Sequence, residues 1–176
     1  MRPRTFISEA RIRRRVGELA RKIDRRYRGR ELVVVGVLKG AYVFMADLCR
    51  ALRTPLRNDF LRVQSYGSGH ETSGAIRVEF DLTQPIRGKD VLLIEDIIDT
   101  GLTSRAVLRM LRARRPRSLR LCTLLHKPDR ARVEVPIDFL GFTIPNKFVV
   151  GYGLDYMGRW RNLPYIGWID PADGAH

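Results

Sequence analysis

The sequence predicts an α/β fold, a mainly parallel sheet flanked by helices, and three observations carry that expectation. Apolar runs rich in β-branched residues alternate with stretches of helical spacing. The runs are continuous, as in strands buried on both faces, and do not alternate with polar residues. The 176 residues are 44% apolar, enough for a core, and no linker-like segment divides them, so residues 1–176 read as one domain.

Residues 8–28 place Ile12, Val16, Leu19, Ile23 and Tyr27 on one helical face, with Ser8 as N-cap and arginines on the outer face. ELVVVGVLKG follows as a buried strand ending in glycine, and AYVFMADLCRAL returns to helical spacing. Beyond Thr54-Pro55, NDFLRVQSYG reads as a strand running into the polar, glycine-rich SGHETSG, and IRVEFDL is the next strand. Gly88-Lys89-Asp90 introduces the buried strand VLLIEDI; TSRAVLRMLRARR is helical until Pro116 stops it. SLRLCTLL is a further strand, and VEVPIDFLGF and FVVGYGL are short ones.

Composition removes several function classes. No apolar stretch approaches the length of a bilayer span, and the basic N-terminus has no apolar run before a cleavage site, so the expectation is a cytoplasmic protein without a membrane partner. Cys49 and Cys122 lie in apolar segments without metal or redox spacing and read as reduced core residues. His70, His126 and His176 have no metal spacing either. The formal charge is +14, which suits an anionic partner, yet 28 of the 33 basic residues are arginine and they are spread along the helices without interleaved aromatics. The charge reads as compositional, with no specific nucleic-acid partner.

The most informative window is VLLIEDIIDTGLTS, residues 91–104. A buried strand runs into Glu95 and Asp96, then Asp99, Thr100, Gly101, Leu102, Thr103 and Ser104 open a helix. In parallel sheets ligands bind beyond the carboxyl ends of the strands, so three acids there face a crevice. A helix capped by Asp99 or Thr103 explains one acid and not three. Backbone N–H groups and hydroxyls from Thr100 to Ser104 suit a phosphate, and the two upstream acids suit sugar hydroxyls.

This window resembles the diphosphate-sugar motif of the phosphoribosyltransferases: a strand, two acids, two apolar residues and D-T-G-x-T. VVGVLKGAYVF, VQSYG, the lysine of LLHKPD and IPNKFVVGYGLDYMGRWRNLPYIG resemble the hypoxanthine-guanine branch, and the likeness spans about residues 8–168. It implies the type I fold of that family, with a small hood from the chain's N- and C-terminal parts over a purine site. It implies transfer of ribose 5-phosphate from phosphoribosyl pyrophosphate to a 6-oxopurine, with Mg2+ as cofactor and a homo-oligomer, dimer or tetramer, as the assembly.

Position by position, Lys127 resembles the donor to the purine 6-oxygen, Phe148 the stacking ring and Val149 the backbone contact to the base edge. Asp155 resembles a carboxylate serving both purine site and magnesium, with Glu95 and Asp96 as further metal candidates. Lys39, Gly40 and Arg161 resemble the pyrophosphate contacts, Asp99 the catalytic proton acceptor, and Ser65-Tyr66 the start of a mobile loop over residues 65–75. Leu102 stands where some relatives carry lysine, and no arginine between Lys127 and Phe139 is carried over. A xanthine-preferring transferase and a non-catalytic regulator that binds phosphoribosyl pyrophosphate remain the alternatives.

If the charge is compositional, labelled DNA and RNA duplexes will bind with Kd of roughly 10⁻⁴–10⁻⁶ M at physiological salt and more weakly as salt rises. Titration at two salt concentrations checks this, and sequence-selective nanomolar binding would restore the regulator.

Overall fold

The structure, a computed structural model, describes residues 3–65 and 76–169. The elements run β1 (Arg4–Ile7), α1 (Glu9–Arg26), β2 (Leu32–Leu38), α2 (Tyr42–Ala51), β3 (Leu56–Ser65), β4 (Ile76–Phe80), β5 (Asp90–Ile98), α3 (Leu102–Ala113), β6 (Ser118–His126), a 3₁₀ turn (Pro128–Arg130), β7 (Phe139–Thr143), β8 (Val149–Val150) and β9 (Ile166–Trp168). Six strands form one sheet in the order β4-β3-β2-β5-β6-β7, all parallel except β4, which pairs antiparallel with β3. The mainly parallel α/β architecture is therefore present.

Strand order reverses between β2 and β5. The chain leaves β2 through α2 toward β3 on one side, and leaves β5 through α3 toward β6 on the other. Right-handed crossovers then require α2 and α3 to cover opposite faces. They do: Phe44, Met45 and Leu48 of α2 join α1 in a core against Val34, Leu92 and Ile94, while Val107, Leu108 and Leu111 of α3 pack on Val35, Val91 and Leu93. A crevice opens at such a switch point, at the carboxyl ends of the strands.

The first helix forms as its periodicity requires. Ile12, Val16, Leu19, Ala20 and Ile23 are buried, and the Ser8 hydroxyl accepts from Arg11 N–H at 3.4 Å. Arg15 ties this helix to the edge strand, donating to the carbonyls of Leu140 and Gly141 at 2.9 and 2.8 Å. Among the described residues no helix is long and apolar enough to cross a membrane.

A second, antiparallel sheet in the order β1-β9-β8 joins the two ends of the chain into the expected hood. Its strands β1 and β9 were not visible in the sequence. Two expected strands are shorter than read: VEVPIDFLGF pairs only from Phe139, because Pro136 has no N–H for a ladder. FVVGYGL pairs only at Val149 and Val150, because Gly151 and Gly153 turn the chain at φ of 95° and 100°. Cys122 is fully buried, but Cys49 is only half-buried and its thiol donates to Asn58 Oδ1 at 3.3 Å, so it is not a core residue.

Asp59, buried in β3, fastens the chain beyond β4. It accepts from the Phe60 N–H at 2.8 Å, the Thr83 N–H and hydroxyl at 2.9 and 3.2 Å, and the Gln84 N–H at 3.3 Å. Asp59→Ala strands several donors, and chemical denaturation is expected to show a loss of about 1–3 kcal/mol.

Candidate active site

The site is built where β2, β5 and β6 end side by side. β5 carries Glu95 and Asp96 as neighbours, and successive side chains of a strand point to opposite faces. Glu95 turns toward α3, where the buried Ser104 hydroxyl donates to its Oε2 at 2.6 Å. Its other oxygen, Oε1, is buried without a partner. Burial pushes the Glu95 carboxyl up to about 7, with Asp96 adding to the rise and the Ser104 bond opposing it.

Asp96 turns the other way, into the connection between β2 and α2. A Cβ on Gly40 would overlap the Asp96 carboxylate, so only glycine leaves it room. Burial raises Asp96 to about 6; backbone N–H groups and the Arg161 charge oppose the rise, and the charge of Asp155 adds to it. The connection passes through a cis Leu38–Lys39 peptide to the exposed Lys39. A Cβ on Gly153 would in turn strike the Gly40 carbonyl, so the C-terminal segment seats directly on the same connection.

Arg161 bridges that segment, donating to the Gly153 carbonyl at 2.6 Å and pairing with Asp155 Oδ1 at 2.6 Å. Asp155 Oδ2 accepts the Gly158 N–H at 2.7 Å. Among the described residues no three His, Cys, Asp or Glu side chains gather into a metal cluster. Magnesium commonly takes one or two carboxylates and completes its shell with water and substrate phosphate. Asp96 and Asp155, near enough to feel each other's charge, fit that donor set; Glu95, with one oxygen bonded to Ser104 and the other buried, does not face it.

Beyond Ile98 the chain turns through Asp99 and Thr100 into α3. Gly101 sits at the helix N-cap with φ of 80°, and a Cβ there would crowd the Val133 carbonyl at 2.8 Å. No side chain caps the helix; Thr100 Oγ1 only approaches the Leu102 N–H at 3.5 Å. The first-turn N–H groups of Leu102, Thr103 and Ser104 are thus left without a side-chain cap at the positive end of a 12-residue helix, an arrangement suited to an anion. Asp99 is not a cap. Its Oδ1 accepts from Arg130 Nε at 3.0 Å, and Lys127 Nζ stands 3.8 Å from Oδ2.

Lys127 follows β6 and is held by its backbone N–H to the Ile98 carbonyl at 2.9 Å. It is 7% exposed, and burial lowers its pKa while Asp99 resists that fall. Phe148, 40% exposed, meets the edge of Tyr156 with ring centroids 5.3 Å apart, and Tyr156 stacks on Trp160 at 6.2 Å. Val149 is buried in β8 opposite Trp168. Ser65 ends β3, and Tyr66 and the expected mobile loop lie outside the described residues.

The sequence reading missed two contributors and gave a third another role. Arg130 reaches Asp99 because Pro128 starts a 3₁₀ turn that brings the third residue back over the strand end, and that proline was the available signal. The Ser104 hydroxyl, expected toward a phosphate, turns to Glu95, and Tyr156 acts through its ring contact with Phe148, which left no local signal.

Comparison with known proteins fits this arrangement. The phosphoribosyl transferase domain profile matches residues 8–157. The chain belongs to the phosphoribosyltransferase family. Within the family it is 52% identical to the hypoxanthine phosphoribosyltransferase of Salmonella typhimurium over 164 residues, 92% of either chain. It is 48% identical to the hypoxanthine-guanine phosphoribosyltransferase of Mycobacterium avium over 94% of this chain and 85% of that one. The solved hypoxanthine phosphoribosyltransferase of Staphylococcus aureus superposes with a TM-score of 0.94 at 41% identity, over 98% of this chain and 94% of its own.

This phosphoribosyltransferase sacrifices stability at its acids. The Glu95 carboxyl lies at about 7 in the folded chain against 4.5 unfolded, so the folded state holds the extra proton in between and stability falls as pH rises through that window. Glu95→Gln removes the penalty. Its melting temperature is expected to exceed wild type at pH 8, by the equivalent of roughly 1–3 kcal/mol given about 1.4 kcal/mol per pKa unit, and to match wild type at pH 4.

Proposed function

We propose that the protein transfers ribose 5-phosphate from phosphoribosyl pyrophosphate to hypoxanthine or guanine, giving IMP or GMP and pyrophosphate in purine salvage. The pairing of Lys127 with Asp99 carries this reading: a buried ammonium donor and a carboxylate acceptor 3.8 Å apart, at the ends of adjacent strands. That pair matches the edge of a 6-oxopurine, where O6 accepts and N7–H donates. The names of the related proteins support the same substrates.

Lys127 binds O6, and Asp99 takes or shares the N7 proton as the glycosidic bond forms. Arg130, on the opposite oxygen of Asp99, is a positioning residue that keeps Oδ2 turned toward the base. Phe148 stacks on the purine, its ring braced by Tyr156, and the Val149 backbone borders the base edge. The N–H groups at the start of α3, with Thr100 and Thr103, hold the 5-phosphate.

Asp96 orients the ribose hydroxyls, with Glu95 backing it across the strand. Lys39, the Gly40 peptide and Arg161 neutralise the departing pyrophosphate. Asp96 and Asp155 would hold Mg2+, which supplies positive charge to the diphosphate. The protein acts as a homo-oligomer, dimer or tetramer; exposed Tyr42 beside the cavity of Val43 and Pro164 supports a subunit contact there.

Assay of each base with phosphoribosyl pyrophosphate and Mg2+ is expected to yield IMP and GMP but no AMP, because the adenine 6-amino group would meet the Lys127 donor. Equal turnover of adenine would reject the assignment, and faster turnover of xanthine would redirect it. Lys127→Ala is expected to lose that discrimination, read as converging kcat/KM values for hypoxanthine and adenine. Asp99→Asn is expected to lower kcat by ~10²-fold or more with a smaller change in KM for phosphoribosyl pyrophosphate. Wild-type turnover in a single-turnover experiment would reduce Asp99 to an ion-pair partner.

A further inference from the structure

The amino ends of the parallel strands form a second concave face, separated from the crevice by the length of β2, roughly 20 Å at 3.3 Å per residue. There a cavity of about 680 Å³ opens between the end of α1 and the connection from α2 to β3. Arg21 and Arg25 enter it four residues apart on one face of α1, Arg28 from the turn that follows the helix, and Arg53 from the other side. Nearby Arg30 and Arg50 are paired with Asp90 and Asp47, but none of these four has a carboxylate partner among the described residues.

The acid in the same wall offsets only one of the four charges. Asp24 accepts the N–H of Arg53 at 3.0 Å and the N–H and hydroxyl of Thr54 at 2.9 and 2.8 Å, which turns its carboxylate onto the connection. The negative end of the α1 dipole, about half a charge, and the Asp24 carboxylate are together outweighed by the four guanidinium charges.

Gly17 is the independent observation. It lines the cavity from inside α1, where glycine is a poorer helix former than alanine. Nothing in the chain demands it: a Cβ there would meet only Arg21 Nη1, at an ordinary 3.6 Å. The missing side chain lowers the cavity wall to the helix backbone directly beneath the Arg21 guanidinium.

We propose that this cavity is a second anion site that takes a polyphosphate group, either a free chain or the phosphate tail of a nucleotide. Guanidinium forks match phosphate oxygens in pairs, and an extended anion of three or more charges answers four of them where a single phosphate would not. The volume leaves room for a triphosphate and a substituent.

Calorimetric titration without magnesium tests this, with inorganic triphosphate in one arm and adenosine triphosphate in the other. Relative to wild type, Arg25→Gln/Arg53→Gln and Gly17→Leu are expected to bind at least about tenfold more weakly, 1.4 kcal/mol in free energy. Their transferase kcat and KM should stay unchanged, and the melting temperature of Gly17→Leu should not fall. Arg161→Gln, altered in the catalytic crevice, should retain this binding. Equal affinities identify the free chain, and tighter adenosine triphosphate identifies the nucleotide tail. Binding that survives the double arginine replacement, or that vanishes in Arg161→Gln, overturns the proposal. So does a duplex RNA that displaces triphosphate through the same arginines, since the face would then serve a macromolecule.

Discussion

Asp96 stands in the space that a side chain on Gly40 would fill, and the Gly40 carbonyl stands where a side chain on Gly153 would fall. These two exclusions link three distant parts of the chain, the end of β5, the connection after β2 and the C-terminal segment that carries Asp155 and Arg161. Each is placed by backbone contact, without the slack of long side chains. Lys39 and Arg161 consequently approach the crevice from different elements yet share one fixed reference. A single added methyl at residue 40 would therefore disturb Asp96 and the seat of the C-terminal segment together.

The same closeness explains the electrostatics. Two carboxyls at the end of a strand flanked by β2 and β6 lose their hydration, and the chain offers Glu95 only one side-chain donor. A fold selected for stability alone would place apolar residues there. Their presence fits a site that is completed by ligand hydroxyls and cations. Asp99 differs in kind: it is partly exposed and already held between Lys127 and Arg130, so its charge is compensated before substrate arrives.

Much of this was legible in the sequence because it depends on local pattern. Continuous apolar runs declared the buried strands, five-position helical spacing declared α1, and the acids before D-T-G-x-T declared the crevice. What escaped depends on distant pairing. RTFI and IGW are too short to show a period, and become strands only because they find each other. Pro136 and the positive φ of Gly151 cut two expected strands short. Glu95 was expected to face the crevice with Asp96, but the alternation of a strand sends the neighbours to opposite faces, and one lands under α3. The charge of +14 pointed to no particular place until the fold gathered Arg53 with Arg21 and Arg25 of α1 and Arg28 of the turn after it.

The pairing of β1 with β9 sets an order of assembly during synthesis. The six-stranded sheet is complete in the chain by Thr143, and so is the core under α3, whereas the core under α1 and α2 still waits for Val149, Tyr152, Leu154 and Ile166. Residues 4–7 have no strand to join until residues 166–168 appear more than 150 positions later. The hood, which positions Phe148 through the backbone bond from Ile169 N–H to the Phe148 carbonyl, therefore closes last. A nascent chain stalled before β9 would have Asp96, Asp99 and the start of α3 in place while Phe148 still lacked the strand that seats it.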